Sequence, residues 1–96
     1  MPIRVAVLEV RLELPGVRSL KEKRGIVKGL LERIRHRFEV SAAEVDELDR
    51  WDGAGLGFAA VGNEVAALQS RLQKVASFID GDGAGVMVDY RVEIVT

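Results

Sequence analysis

The stretch from Ser19 to Phe38, SLKEKRGIVKGLLERIRHRF, holds seven Lys or Arg against two Glu, in a chain of 96 residues whose net charge is −1. On a helical wheel Lys21, Arg24, Lys28 and Arg35 form one stripe, Arg33 and Arg37 lie on the opposite flank, and Gly25, Gly29 and His36 fall between them. Cations on successive turns can follow a phosphate backbone, and small residues between them let a ligand come close. Two glycines in mid-helix each cost about 1 kcal/mol relative to alanine, so their presence on that face asks for a reason. The six basic side chains are therefore candidate nucleic-acid contacts. The alternative is a solvated helix face that shields its charge against acid elsewhere. That acid is near in sequence: Glu39, Glu44, Asp46, Glu47, Asp49 and Asp52 follow with Arg50 the one cation among them.

Other chemistries are poorly served. The turn LPGVRS leads into a helix N-terminus where backbone N–H groups with Arg18 and Ser19 could hold an anion, the place where acylphosphatases bind phosphate. No asparagine stands ready to position an attacking water there, and Asn63 is better placed to cap a second helix. His36 is the one histidine and there is no cysteine, which excludes a thiolate nucleophile and a histidine- or cysteine-rich metal site, and an exposed helix histidine is the reading of His36. The carboxylates between 44 and 52 do not follow the spacing of a calcium loop. GDGAG lacks the Lys-Ser/Thr of a phosphate loop and reads as a turn, and its GDGA portion is acidic where a nucleic-acid clamp needs to receive phosphate. Stacking bases on a sheet needs aromatic residues on central strands, and the first predicted strand has none while the third has Phe58 alone. The expectation is a protein without catalytic residues, metal or cofactor.

The elements that position these residues are legible from periodicity. IRVAVLEVRLEL, residues 3 to 14, alternates as a half-buried strand. PGVR breaks it, and Ser19 with Glu22 three residues later makes a capping box. Leu20, Val27, Leu30, Leu31, Ile34 and Phe38 then share one arc of a helix. FEVSAAEVDE is a second strand, LDRWDGAG a connection, and LGFAAVG a central third strand, apolar on both faces. A second helix buries Val65, Leu68, Leu72, Val75, Ala76 and Ile79 and stops at DGDGAG. VMVDYRVEIV closes the pattern as a fourth strand, with Val86, Val88, Tyr90, Val92 and Ile94 on one side.

The order βαββαβ predicts an α+β, ferredoxin-like fold: one domain over residues 1–96, a four-stranded antiparallel sheet, and two helices on one face because both crossovers are right-handed. The other face then carries Val5, Val7 and Met87 beside alternating acid and base. These three residues are interface candidates for a homodimer, whose alternative seam is a strand edge beside the acidic segment, or for a protein partner in a purely structural role. Trp51 is either an anchor on the hairpin or a contact residue. With 48% hydrophobic residues the chain can build its own core, and its first residues are too often interrupted by charge for a signal peptide or membrane span. A cytoplasmic location is expected.

The segments SLKEKR, RHRF and AEVD, within LKEKRGIVKGLLERIRHRFEVSAAEVD and followed by RWDGAGLGFAAVGNE, resemble the YlxP-like family of small bacterial proteins of unknown function. The resemblance runs along nearly the whole chain. Members are often encoded near genes for translation initiation and ribosome maturation, which implies RNA or a ribosomal subunit as partner. It implies no catalytic residue.

Overall fold

The computed structural model describes residues 2–96. Its elements are β1 (Arg4–Glu13), α1 (Leu20–Arg37), β2 (Ser41–Asp46), β3 (Gly53–Gly62), α2 (Val65–Asp82) and β4 (Val86–Ile94), the expected βαββαβ order. The strands lie in the order β2-β3-β1-β4 and every neighbouring pair is antiparallel. This is the ferredoxin-like α+β arrangement. Alternate residues of β1, from Ala6 to Leu12, and Leu14 just beyond it share one core with Val27, Leu30 and Ile34 of α1 and Leu68, Leu72 and Ile79 of α2, which puts both helices over the same sheet face. Each of those leucines and isoleucines withdraws enough apolar surface to contribute about 1.5–3 kcal/mol.

The start of α1 follows from its sequence. Ser19 Oγ accepts the Glu22 N–H at 3.1 Å, and Glu22 Oε2 accepts the N–H of Arg18 at 3.2 Å, so two amides that precede or open the helix are satisfied by side chains. At the far end Arg35, His36 and Arg37 occupy the last turn, where cations oppose the helix dipole. The end of α2 departs from expectation. Its N-cap is Glu64 rather than Asn63, with no side-chain capping bond, and the helix runs on through Asp82 into the segment expected to be a turn. Two contacts account for the extension: Gly83 takes the left-handed conformation (φ 83°) that closes a helix, and Arg33 of α1 holds Asp82 with two hydrogen bonds.

Both edge strands carry an irregularity. In β4, Arg11 lies opposite Asp89 while Leu12 lies opposite Met87, leaving Val88 as an extra residue. One extra residue shifts the side-chain alternation by one. Tyr90, Val92 and Ile94 stay opposite core residues of β1, but before the bulge it is Met87 that packs against the core, while Val86 and Val88 are about half exposed. The expected placement of Met87 on the open face, with Val86 and Val88 buried, is therefore corrected by the bulge. In β2, Glu44 lies opposite Leu56 and Asp46 opposite Gly55, with Val45 the extra residue. The glycines of β3 make room for it: a Cβ on Gly55 would stand 2.7 Å from that of Asp46.

Candidate nucleic-acid interface

The cations of α1 divide into two groups. Arg33 donates to both carboxylate oxygens of Asp82, at 3.1 and 2.8 Å, and this hydrogen-bonded pairing raises its pKa above the ordinary arginine value. Arg35 donates to the Ala42 carbonyl and so fastens the helix to β2. The Arg37 guanidinium lies 5.3 Å from the centre of the Phe78 ring, itself packed edge-on against Phe38. These three arginines join α1 to its neighbours. Lys21, Arg24 and Lys28 are exposed, and among the described residues none of them makes an ion pair or side-chain hydrogen bond. They lie along one side of the helix, with Gly25 beside them; nothing stands within 4 Å of where a Gly25 Cβ would be.

The seventh cation behaves differently from all the others. Lys23 is completely buried. Its ammonium donates to the carbonyls of Glu47 at 2.8 Å and Gly53 at 3.1 Å, and Glu44 Oε2 lies 2.8 Å away. Position 23 is four residues before Val27, seven before Leu30 and eleven before Ile34, so it belongs to the buried stripe. That spacing was the available sequence signal.

Three carboxylates of the acidic segment, Glu44, Glu47 and Asp52, are paired where they stand. Arg50 donates to Asp52 at 2.7 Å, Glu47 at 3.1 Å and Glu13 at 2.6 Å, and Arg11 reaches Glu47 at 3.4 Å. This cluster lowers the pKa of Asp52, chiefly through the Arg50 hydrogen bond, and raises that of Arg50 through Asp52 and then Glu47. Glu44 is held by Lys23. Glu44, Glu47 and Asp52 thus find their cations in Lys23, Arg50 and Arg11, and Lys21, Arg24 and Lys28 pair with none of the segment's carboxylates among the described residues.

The remaining candidates fall elsewhere. At Arg18 and Ser19 the Arg18 and Glu22 amides are taken by the capping box, and the Glu22 carboxylate would face any incoming anion. Val5 and Val7 lie on the open sheet face beside Ala59 and the exposed Val61, opposite them in register, whereas Met87 is turned into the core. Val45, Leu48 and Trp51 are exposed around the β2–β3 hairpin. No cluster of three metal-ligating side chains occurs among the described residues. Among the described residues no helix is long and apolar enough to cross a membrane. A shallow groove between the end of α1 and α2 is lined by Arg37, Arg71 and Lys74, two of which sequence reading passed over. Their spacing of three on α2 was the only hint.

Residues 5–92 match the family described as "Protein of unknown function (DUF503)". The chain belongs to the DUF503 family. A curated relative, the "Uncharacterized protein YlxP" of Bacillus subtilis (strain 168), is 40% identical over 62 residues, covering 65% of this chain and 67% of that one. The resemblance of SLKEKR, RHRF and AEVD to YlxP-like proteins is thereby confirmed. Among solved structures, the de novo designed protein Foldit4 superposes on 98% of this DUF503 chain and 97% of its own length with a TM-score of 0.57 and 12% identity. The designed protein Ferredog-Diesel covers 93% and 83% at a TM-score of 0.49 and 14% identity. At 12% identity the likeness to Foldit4 concerns the fold alone.

Proposed function

We propose that this DUF503 protein is a non-enzymatic, cytoplasmic RNA-binding module that docks on RNA, ribosomal or ribosome-associated, through Lys21, Arg24 and Lys28 of α1. The observation that carries this reading is the division among the helix cations. Arg33, Arg35, Arg37 and Lys23 each have an intramolecular partner, and Glu44, Glu47 and Asp52 of the acidic segment have their own cations, so of the seven cations of α1 these three alone lack one among the described residues. An exposed cation with no internal partner is free to displace counterions from a phosphate backbone. Gly25 leaves the helix surface low beside them, at a cost in helix propensity that close approach of a sugar-phosphate chain would offset. Arg37, Arg71 and Lys74 continue positive charge onto α2.

The experiment is a titration of a fluorescent single-stranded RNA with the protein across a salt series. Three backbone contacts correspond to a log-log slope of about −2, with little dependence on RNA sequence. A chain that retains no RNA at low salt is not an RNA-binding module. Protein–protein recognition then becomes the better reading, and the exposed Val45, Leu48 and Trp51 on the hairpin are what favours it.

A further inference from the structure

We infer that β4 is the seam of a homodimer, its free edge pairing antiparallel with the same strand of a second copy about a two-fold axis at Tyr90. The strand order leaves β4 at one margin of the sheet, so one row of its backbone N–H and C=O groups has no strand partner within the chain. Exposed apolar surface collects on the same strand: Val88 is 51% and Tyr90 42% exposed.

What selects a second copy as occupant is the symmetry of the sequence Val88-Asp89-Tyr90-Arg91-Val92. Reversed about Tyr90, it sets valine against valine and aspartate against arginine. An antiparallel two-fold pairing at that residue therefore opposes Asp89 to the partner's Arg91 and Arg91 to the partner's Asp89, two opposite-charge cross-strand pairs from one strand. The faces agree as well. Asp89 and Arg91 stand opposite Arg11 and Glu9 on the open side, while Tyr90 and Val92 stand opposite core residues Val10 and Leu8. Arg91 already holds Glu9 at 2.7 Å, whereas Asp89 makes no ion pair among the described residues. Association would supply the missing cation and extend the open-face row from Glu9 through Arg91 to the partner's Asp89. The opposite margin lacks this symmetry. β2 carries Glu44 and Asp46 with no cation, so pairing it with itself gathers like charges.

The test is a charge exchange. Wild type is expected to sediment as a dimer over the micromolar range. Asp89→Arg and Arg91→Asp should each weaken association by roughly tenfold or more, because two like-charge pairs replace two opposite ones. An equimolar mixture of the two variants should regain the dimer mass, which also shows that each is folded. Tyr90→Cys supplies an independent reading. Directly opposed residues of antiparallel strands have Cα atoms about 4.5–5.5 Å apart, within disulfide reach, so oxidation should yield a covalent dimer. A wild-type chain that stays monomeric up to millimolar concentration, or variants that remain apart on mixing, would overturn the inference. So would cross-linking through Val61→Cys on the open face with none through Tyr90→Cys.

Discussion

The Lys23 ammonium stands 2.8 Å from Glu44 Oε2, with the lysine side chain 0% and the glutamate side chain 14% exposed. Two carbonyls from the β2–β3 hairpin complete the lysine's shell. The pair thus clamps the first turns of α1 onto a hairpin more than twenty residues away. Charges removed from water in this way are costly when one partner is lost. Lys23→Met is expected to lower unfolding free energy by roughly 3–5 kcal/mol, since Glu44 Oε2 stays buried without its cation and two carbonyls lose their donor. Adding Glu44→Leu should restore part of that loss. Urea denaturation of the three variants decides it, and an unchanged midpoint in Lys23→Met would show that the pair is dispensable.

Arg24→Glu combined with Lys28→Glu should weaken RNA binding uniformly across sequences and flatten the salt slope by more than one unit. Thermal stability should stay close to wild type because both side chains are exposed and unpaired. Arg33→Ala is the internal control. It removes the bonds to Asp82 and should lower stability by up to about 1 kcal/mol, the range of exposed ion pairs, with RNA affinity unchanged. Equal loss of affinity in both variants would count against a surface centred on Lys21, Arg24 and Lys28.

Gly25→Ala separates stability from binding. With nothing near the added Cβ, the substitution should raise stability by about 1 kcal/mol. If the glycine serves close approach of RNA, the more stable variant should bind more weakly. A stabilised protein with full RNA affinity would leave the glycine without a role in contact. Calorimetry and the anisotropy titration together give the answer.

Asp52 should titrate below the 3.8 of an ordinary aspartate, because Arg50 stabilises its carboxylate. A carboxylate favoured by folding contributes stability that is fully present above its unfolded pKa and is lost as pH falls through the lower folded value. The effect therefore belongs to the acid limb below about pH 4 and leaves neutral pH untouched. Arg50→Gln should move the Asp52 titration, followed by NMR of the side-chain carboxyl, upward toward the ordinary value.

What could be read in advance was local. The capping box of Ser19 and Glu22 lies within one turn, and the alternation of β1 and the stripes of both helices repeat within a few residues, so the topology followed from short-range pattern and the handedness of crossovers. The pairing of Arg33 with Asp82 spans 49 residues and has no local trace. The bulge at Val88 was hidden because Val86, Met87 and Val88 are all apolar, and a shift by one position leaves such a run looking the same. Lys23 was concealed by its own chemistry: a lysine on a helix reads as solvent-facing unless its place among Val27, Leu30 and Ile34 is weighed against its charge. The candidate contact surface thus reads as six basic side chains in sequence and keeps three in the fold, because Arg33, Arg35 and Arg37 take partners within the chain.

The two bulges, at Val45 and Val88, also govern how far sheet growth can proceed. A symmetric junction through β4 consumes that margin in both copies and leaves β2 at each end of the enlarged sheet. There the strand is six residues long, interrupted at Val45, and flanked by Glu44 and Asp46. Short, bulged, acidic margins are poor templates for another strand. Assembly would therefore close at two chains instead of propagating into a ribbon, and the same irregularity that turned Met87 inward would keep the junction itself confined to the residues around Tyr90.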